Sequence, residues 1–435
     1  MSTRTLQARV NERNVGELRD ENGIWSFVYS PDWVKAADGY ALSPALPRQL
    51  EPIVDSSSTR PVQWYFDNLL PEEGARTLFA KDAKVDVADA FGLLAYYGAE
   101  SAGSLILTAG DPEPHDFGEK QLADPELQAR IERLPKIPLT SGAAKRMSLA
   151  GAQHKLAVIY RDDAVFEPIG RTPSTHILKP DHPDSDYPHS VINEYFVMRL
   201  AGALKLDVPE VYRRYVPAPV YLVERFDRRR NGNIVERLHV VDACQVLNLD
   251  RQFKYAEGRV ERLRELAERC TVPVAARLKL YSWLVFNLLV GNSDAHLKNL
   301  SFLVTDRGIQ PAPYYDLIAV GVYDTIALGK GVWPGTTLAW PLCGQSTFAA
   351  LTRATLLEAA AALGIAEETA NRLLNAQVGR IEMAARELLS NIEADNAKLA
   401  VARGELAATF AGETRCLRAI IEIVIREMKI KVGLP

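Results

Sequence analysis

The pattern of apolar and polar positions divides the chain into a strand-rich first half and a helix-rich second half. In the first hundred residues, short alternating stretches such as GIWSFVYS and SAGSLILT predict strands, and VQWYFDNLLPEEGARTLFA predicts one helix. From about residue 146 to Asp227, the runs KLAVIY, VFEPI and STHILK predict further strands. One helix, SVINEYFVMRLAGALKL, interrupts them, and its predicted apolar face consists of Ile192, Tyr195, Phe196, Leu200, Ala203 and Leu204.

The order of these elements predicts an α+β fold with two lobes. After Asp227 the periodicity becomes mostly helical, and it is strongest in the last hundred residues. The stretch 110–142 is acidic and interrupted by prolines, which is typical of a surface connection. We therefore predict an N-terminal subdomain at 1–110, a linker at 111–145, a strand-rich core at 146–227 and a helical lobe at 228–435. A chain of 435 residues is long enough for such a division.

Composition excludes several classes of protein. Charged residues make up 24% of the chain, the net charge is −4 and the isoelectric point is about 6.1, which argues against a protein that coats nucleic acid by bulk charge. The longest apolar run, Trp283 to Val290, is too short for a membrane span, and the first residues lack the apolar segment of a signal peptide. We expect a soluble, cytoplasmic protein that does not contact membranes. The four cysteines lie far apart, so their spacing suggests neither a zinc site nor a disulfide framework.

A polar cluster follows the most apolar stretch of the chain. In VGNSDAHLKNLSFLV, residues 290–304, several polar side chains come directly after the predicted buried helix, and such groups are costly to bury without partners. Asp294 and Asn299 are five residues apart, and an apolar strand, the turn TDRG and the segment YYDLIA with Asp316 follow. Protein kinases place their catalytic aspartate and metal-binding asparagine at this spacing, before a second metal-binding aspartate. Two departures are that His296 follows the aspartate and that YDLI replaces D-F-G.

Each of these residues also has an ordinary structural interpretation. Asp294 and Asn299 could be turn residues, Asp316 a cap at a strand end and His296 a structural histidine. A kinase also needs residues earlier in the sequence: a phosphate-binding loop, a lysine and an acidic partner for that lysine. Their presence makes the kinase interpretation stronger. The sequence contains candidates for all of these parts, in the order found in protein kinases.

These earlier candidates lie in three short segments. MSLAGAQHKLAVIY places small residues before a strand, where backbone N–H groups can approach phosphate, and Lys155 could add charge. THILKPD ends a strand with Lys179, and Glu194 on the following helix is placed to pair with it. APVYLVERFDR is a strand at the expected lobe boundary, where backbone groups could hydrogen-bond adenine. Solvated surface ion pairs remain the ordinary alternative for these charges.

Several segments together resemble one known family. SLAGAQHK, THILKPD, VERFDR, GNSDAHLKN, YYDLIA and WYFDNLLPEEGAR are similar to signature segments of the HipA family of serine/threonine kinases, the toxins of bacterial HipBA toxin–antitoxin modules. The resemblance covers nearly the whole chain. It implies a protein-kinase-like, two-lobed fold with an added N-terminal subdomain, in which 146–227 is the nucleotide-binding lobe and 228–435 carries the catalytic loop.

The resemblance also implies roles for individual residues, with ATP and Mg²⁺ as cofactors. Asp294 would be the catalytic base, Asn299 and Asp316 would hold Mg²⁺, and Lys179 would reach the phosphates and form an ion pair with Glu194. The remaining nucleotide-binding positions implied are Ala150, Gly151, Ala152, Gln153 and Lys155 at the phosphates, Glu224 and Phe226 at adenine, and His296 and Tyr315 beside the catalytic loop. Ser148 would be the site of autophosphorylation, and a phosphoserine there would place negative charge beside a site for anionic phosphate.

The partners and the biological role also follow from the resemblance alone. It implies a protein substrate, such as an aminoacyl-tRNA synthetase, whose phosphorylation causes growth arrest or persistence. It implies a HipB-type helix-turn-helix antitoxin, through which DNA is contacted mainly indirectly. Two alternatives stay open at this point: a small-molecule phosphotransferase of the aminoglycoside type, and a non-catalytic corepressor that bridges DNA-bound antitoxin.

Overall fold

A computed structural model describes residues 3–110, 117–143, 145–147, 149–232 and 234–433. The chain divides into two compact units, and each is built from separate segments. The first unit contains the residues up to Pro180 together with Leu222–Lys254 and Ser301–Ala312. The second unit contains Asp181–Tyr221, Tyr255–Leu300 and the residues from Pro313 onward.

Most strands occur before residue 243. In chain order they are β1 Thr3–Val10, β2 Arg13–Glu21, β3 Ile24–Tyr29, β4 Ile53–Val54, β5 Leu105–Thr108, β6 Phe117–Gln121, β7 Leu156–Arg161, β8 Ala164–Gly170, β9 His176–Pro180, β10 Val211–Tyr215, β11 Pro219–Glu224, β12 Arg228–Asn231, β13 Ile234–Arg237, β14 Val240–Asp242, β15 Ser301–Thr305, β16 Gly308–Pro311, β17 Thr337–Leu342 and β18 Gln345–Thr347.

The two longest α-helices of the described residues, with 17 and 36 residues, lie in the second half of the chain. In chain order the α-helices are α1 Pro31–Lys35, α2 Pro61–Asp67, α3 Glu73–Ala83, α4 Ala90–Tyr97, α5 Asp124–Ile131, α6 Ser190–Ala203, α7 Ala243–Leu247, α8 Val260–Glu268, α9 Pro273–Leu289, α10 Arg353–Ala362, α11 Glu367–Ala402, α12 Ala407–Ala419 and α13 Arg426–Val432. A π-helical segment, Ile420–Ile425, joins α12 to α13. Among the described residues, no helix combines the length and the apolar character needed to cross a membrane.

The first unit is organised around antiparallel sheets. One sheet has the order β4-β3-β2-β1-β5, and from Leu6 to Val10 strand β1 buries every second side chain, which is the alternation expected of a half-exposed strand. Trp25 and Phe91 pack edge to face at 5.3 Å beneath this sheet. In a further sheet of this unit, the last residues of β11 lie beside β9, followed by β7, β8 and β6. A smaller sheet has the order β14-β15-β16.

The segment that we predicted to be a linker contains regular structure in its described part. Strand β6 pairs with β8 in antiparallel register, from Phe117 opposite Gly170 to Gln121 opposite Phe166. Helix α5 follows it, and Arg130 on this helix forms an ion pair of 2.6 Å with the fully buried Glu167 of β8. The prolines at 112 and 114 lie outside the described residues. We predicted only a surface connection from the acidic sequence of this stretch, and strand β6 and helix α5 were therefore missed.

Two further predictions of secondary structure need correction. The single helix predicted within residues 62–80 is two helices, α2 and α3, because Pro71 and its neighbours interrupt the helical geometry. The chain after Asp227 is less helical than predicted, since β12 to β16 all lie between residues 228 and 311. The predicted strands KLAVIY, VFEPI and STHILK correspond to β7, β8 and β9.

The second unit is mainly helical, with α9 at its centre. Pro273 begins this helix, a position that proline favours, and nearly every residue from Leu280 to Leu289 is buried. The apolar stretch YSWLVFNLLV is therefore the buried helix that its composition predicts. Helix α11, with 36 residues, is the longest in the described part of the chain.

Helix α6 is buried on more faces than its sequence pattern indicates. The predicted face is confirmed for Ile192, Phe196 and Leu200, but Asn193, Glu194 and Val197 are also buried. Of the other residues that we placed on the apolar face, Leu204 is buried, Tyr195 is only half-buried and Ala203 is exposed. The burial of Glu194 is therefore a property of the tertiary packing, not of the amphipathic pattern.

A buried carboxyl group links three elements of the second unit. Glu413 on α12 accepts hydrogen bonds from the hydroxyl of Tyr215 at 2.8 and 3.0 Å and forms an ion pair of 3.1 Å with Arg213 on β10. Arg213 also donates to Asn396 of α11 at 2.7 Å. Burial raises the pKa of Glu413 to about 7 despite the opposing effect of Arg213. Burial likewise raises the pKa of Asp181, in the same unit, to about 6.

These shifts predict that the protein loses stability between about pH 4.5 and pH 7. Because the pKa of Glu413 is higher in the folded state than its ordinary value of 4.5, the folded state holds the proton more tightly. The stabilisation is complete below about pH 4.5 and is lost as the pH rises through about 7, by on the order of 3 kcal/mol. Glu413→Gln should therefore show a smaller decrease in melting temperature over this range. Glu422→Gln, which changes an exposed carboxylate near the same helix, should behave like the parent; equal pH dependence in all three proteins would contradict the prediction.

Candidate active site

The predicted catalytic loop begins where helix α9 ends. Gly291 follows the helix with a φ of 68°, a left-handed conformation that glycine adopts without strain. The backbone N–H of Asn292 donates to the carbonyl of Asn287 at 2.8 Å, and the two side chains are hydrogen-bonded at 2.7 Å. Asn292 then accepts from the backbone N–H of Asp294 at 3.1 Å. The asparagines therefore fix the direction in which the chain leaves the helix.

The residues around Asp294 are buried and held by hydrogen bonds, whereas Asp294 itself is exposed. The side-chain amide of Asn299 donates to the carbonyl of Asp294 at 2.8 Å, and the N–H of His296 donates to the same oxygen at 2.8 Å. Tyr315 donates its hydroxyl to the carbonyl of Lys298 at 2.6 Å. The structure thus brings Asp294, His296 and Asn299 together in one hydrogen-bonded loop, which Tyr315 contacts from a later segment.

Tyr255, which was not predicted from the sequence, contacts two of these residues. Its hydroxyl donates to a carboxylate oxygen of Asp294, and its ring packs edge to face on His296 with centroids 4.9 Å apart. The side chain is 44% exposed, so it lies at the open side of the loop. Trp340, which also was not predicted, donates to the carbonyl of Ala295. Both residues are distant from the loop in sequence, and no local motif marks them.

The turn at Gly291 is also closely packed. A Cβ atom at this position would lie 2.6 Å from Val424 and 3.1 Å from the ring of Trp333. Gly291→Ala is therefore expected to lower the free energy of unfolding by about 3 kcal/mol, because overpacking adds to the cost of a positive φ. Denaturant unfolding, followed by circular dichroism, measures this change.

Gly329→Ala is the matched control for this substitution. Gly329 also has a positive φ, of 101°, but nothing lies within 4 Å of an added Cβ atom. This variant should lose only about 1 kcal/mol, which isolates the backbone contribution. Equal losses in the two variants would show that close packing at Gly291 is unimportant.

Asp316 lies in an irregular segment and adopts a φ of 52°. This left-handed conformation is uncommon for residues other than glycine, asparagine and aspartate. Both Asp316 and Glu194 act on the buried hydroxyl of Tyr221: burial, followed by the charges of Glu194 and Asp316, raises the pKa of Tyr221 well above its ordinary value. The charges of two of the predicted acidic residues therefore influence the same buried tyrosine in the second unit.

The predicted phosphate-binding segment lies in the first unit. Gly151 has a φ of 108° and forms a β-bridge with Pro71, and its carbonyl accepts from the N–H of Glu72 at 3.2 Å. Lys155 donates to the carbonyl of Ala150 at 2.6 Å, which closes the segment that contains Ala152 and Gln153 into a compact loop. The sequence did not predict that this segment would pack against residues 71 and 72.

Lys179 occupies the strand next to this loop. Leu156 of β7 pairs with Leu178 of β9, so Lys155 and Lys179 lie at the same end of the two strands. Lys179 is buried, and Glu224 is exposed at the end of β11. The N–H of Arg225 donates to the carbonyl of Thr175 at 2.9 Å, which fixes the segment that continues to the half-buried Phe226.

Some of the predicted roles concern residues in different units or outside the described part of the chain. Lys179 belongs to the first unit and Glu194 to the second, and their ion pair stays a prediction. Ser148 lies outside the described residues. The roles assigned to the other candidate residues also stay predictions, and the structure adds their local surroundings.

The donor atoms in the second unit are of the kind that Mg²⁺ prefers. The side-chain nitrogen of Asn299 is hydrogen-bonded to Asp294, so its oxygen is the amide atom that could bind a cation. Asp316 adds a carboxylate. Within the described residues, no cluster of three or more His, Cys, Asp or Glu side chains could hold a metal ion. The amide oxygen of Asn299 and the carboxylate of Asp316 are ligands that fit Mg²⁺, which proteins often bind through one or two carboxylates together with substrate phosphates.

Comparison with known families accounts for most of the chain. The family model described as HipA N-terminal domain matches residues 6–108, and the model described as HipA-like C-terminal domain matches residues 147–385. The second match alone covers more than half of the chain.

Individual relatives agree with this result. The protein Y4mE of Sinorhizobium fredii is 38% identical over 344 residues, which cover 75% of this chain and 80% of that protein. The serine/threonine-protein kinase toxin HipA of Shewanella oneidensis is 32% identical over 345 residues, which cover 74% of this chain and 76% of that protein.

A solved structure shows the same fold. It is HipA of Shewanella oneidensis MR-1 in a complex with HipB and operator DNA, and it matches with a TM-score of 0.76 at 27% identity. The match covers 98% of this chain and 99% of that chain. The predicted α+β, kinase-type fold is confirmed, and the chain belongs to the HipA family of serine/threonine-protein kinase toxins.

Proposed function

We propose that this protein transfers the γ-phosphoryl group of ATP, in the presence of Mg²⁺, to serine or threonine hydroxyl groups of a protein, and that it acts as the toxin of a toxin–antitoxin module. The observation that carries the proposal is the exposed carboxylate of Asp294 on a loop whose neighbouring residues are buried and hydrogen-bonded. A fixed carboxylate of this kind can orient an acceptor hydroxyl and take its proton.

The other candidate residues would bind the nucleotide and the metal. Asn299 and Asp316 would hold Mg²⁺, which neutralises charge on the phosphates when bound. Lys179 and the loop from Ala150 to Lys155 would bind phosphate oxygens, and the backbone at Glu224 and Phe226 would bind adenine. His296 and Tyr315 would support the loop beside the nucleotide.

Labelled ATP tests the proposed activity directly. The purified protein is incubated with γ-labelled ATP and a cell lysate, with either Mg²⁺ or an excess of chelator. We expect label on the protein itself or on a lysate protein only when Mg²⁺ is present. The absence of label under both conditions, with no effect of Mg²⁺–ATP on the melting temperature, would contradict the proposal and favour a non-catalytic corepressor. Label on added amino sugars alone would favour a small-molecule phosphotransferase.

The proposal also specifies which groups accept the phosphoryl group. We propose Ser148 as the autophosphorylation site and a translation factor, such as an aminoacyl-tRNA synthetase, as the protein substrate. The resemblance of SLAGAQHK to the family segment supports the first assignment. Phosphoproteomic comparison of cells that express the parent or Asp294→Asn tests both. Phosphosites that occur equally in both samples would exclude those proteins as substrates.

The partner that we propose is a HipB-type helix-turn-helix protein. The partner would bind DNA directly, and this chain would contact DNA mainly through the partner. Support comes from the solved complex of the Shewanella protein with HipB and operator DNA. The modest net charge of −4 is consistent with DNA contact through a partner rather than by bulk charge. Gel-shift assays with this chain alone, the partner alone and the mixture would test the order of binding.

A further inference from the structure

A single carboxylate, that of Glu100, lies at the centre of a buried charged cluster in the first unit. Glu100 follows helix α4 and is fully buried. It is ion-paired with four basic side chains: Lys145 at 2.7 Å, Arg228 at 2.8 Å, Arg237 at 2.9 Å and Arg225 at 3.3 Å. All of these residues belong to the first unit, although they come from four separate stretches of sequence.

One of these contacts holds the segment proposed to bind adenine. Arg225 lies between Glu224 and Phe226, and its guanidinium group is completely enclosed. Besides Glu100, it donates to the hydroxyl of Ser174 at 3.0 Å and to the carbonyl of Ser101 at 2.9 Å. Asp227 binds the same guanidinium at 2.6 and 2.9 Å and also accepts from the backbone N–H of Gly103 at 2.7 Å. The side chain between the two predicted adenine contacts is therefore anchored to residues 100–103.

A second contact holds the start of the phosphate-binding segment. Lys145 precedes Ala150 by five residues, and its ammonium group donates to Glu100 at 2.7 Å and to the carbonyl of Thr172 at 3.2 Å. Downstream of it, the sulfur of Met147 accepts from the N–H of Ala157 on β7 at 3.2 Å. Glu100 therefore binds the residues that lead into one nucleotide segment and the residue at the centre of the other.

The charges explain why the carboxylate is needed. Burial by itself would raise the pKa of Glu100, but the attraction of Lys145 and the three arginines lowers it well below its ordinary value. The cluster has four positive charges and two negative charges, those of Glu100 and Asp227. Loss of the Glu100 charge would leave buried cations that repel one another, which is strongly destabilising. Two of these cations, Lys145 and Arg225, lie beside or within the two segments, so the segments would shift.

We propose that Glu100 is a positioning residue that sets the spacing between the phosphate-binding segment and the adenine-binding segment. The inference rests on the proposed function, because it assumes that residues 150–155 and 224–226 contact ATP. Glu100 itself contacts no nucleotide in this proposal. Its position also means that residues before the kinase core complete the nucleotide site, so the N-terminal part of the chain is required for tight binding of ATP.

The test compares two buried carboxylates of the same unit. Glu100→Gln removes the central charge, and Glu167→Gln removes the partner of Arg130, which belongs to no proposed nucleotide segment. For each full-length variant, kcat and KM for ATP are measured by autophosphorylation and transfer, and the Kd of Mg²⁺ with a non-hydrolysable ATP analogue is measured by calorimetry. A general loss of stability would affect both variants, whereas misplaced binding segments affect only the first.

We expect Glu100→Gln to raise the Kd and the KM by about 10- to 100-fold, with a smaller change in kcat. Glu167→Gln should keep the Kd of the parent. Unchanged nucleotide affinity in Glu100→Gln would overturn the inference while leaving the proposed kinase function in place. If the parent itself neither binds the analogue nor transfers phosphate, both proposals fail.

Ser174→Ala, a smaller change in the same cluster, tests the inference if Glu100→Gln does not fold. The hydroxyl of Ser174 donates to Glu100 at 2.7 Å and accepts from Arg225 at 3.0 Å, so Ser174→Ala removes one link of the same cluster. This variant should weaken binding of the analogue several-fold. A Kd equal to that of the parent in folded Ser174→Ala would count against the inference.

Discussion

Asp294→Asn should lower the rate of phosphate transfer by about 1,000-fold, because general-base catalysis by a positioned carboxylate contributes an effect of this size. The substitution changes the shape of the side chain very little. Its amide oxygen can still accept from the hydroxyl of Tyr255, and the backbone carbonyl still binds the amide of Asn299. We therefore expect the Kd for Mg²⁺ with an ATP analogue to remain close to that of the parent.

Asp306→Asn is the matched control for this prediction. Asp306 is an exposed carboxylate in the turn between β15 and β16, twelve positions along the chain from Asp294. Transfer rates are measured at saturating ATP with quantified label on the acceptor. A rate for Asp294→Asn within a few-fold of the rate for Asp306→Asn would eliminate Asp294 as the catalytic base.

The second large effect is expected at Asp316. Asp316→Asn removes a negative charge from the proposed Mg²⁺ site, and loss of such electrostatic stabilisation typically costs about 100-fold in rate. Asparagine tolerates a positive φ, so the backbone conformation of 52° should be retained. Titration of the rate with Mg²⁺ should show that the variant needs a higher metal concentration for half-maximal activity.

A second aspartate with the same backbone conformation provides the control. Asp162, in the exposed turn between β7 and β8, has a φ of 50°. Asp162→Asn tests whether the substitution at a left-handed position by itself affects the protein, and it should keep the Mg²⁺ dependence of the parent. If Asp316→Asn has the same half-saturating Mg²⁺ concentration as the parent, the carboxylate is not a metal ligand.

Those parts of the fold that depend on local patterns could be predicted from the sequence. Alternating apolar residues identified β3 and β5, the runs KLAVIY, VFEPI and STHILK identified β7 to β9, and the long apolar run identified the buried helix α9. Strand β6 was missed because its residues, FGEKQ, are nearly all exposed, so no apolar pattern marks it. Its existence depends on pairing with β8, which is a tertiary interaction.

The candidate site also contains some residues that the sequence identifies and others that it does not. The spacing of Asp294, Asn299 and Asp316 is a local property and could be recognised directly. Tyr255 and Glu100 could not, because each meets its partners through contacts between residues 39 to 137 positions apart. A single glutamate or tyrosine in a sequence carries no sign of such contacts. The buried position of Glu194 also depends on neighbouring elements that cover the polar side of α6.

The pairing of β6 with β8 limits how the protein can be shortened. A fragment that begins at residue 146 would keep β8 but lose β6, so the backbone groups of Phe166–Gly170 that face β6 would lose their partners. An uncovered edge strand readily pairs with other chains and promotes aggregation. The same cut would remove α5, and with it the guanidinium that neutralises Glu167. A shortened protein should therefore start before residue 117 if the edge of β8 is to remain covered.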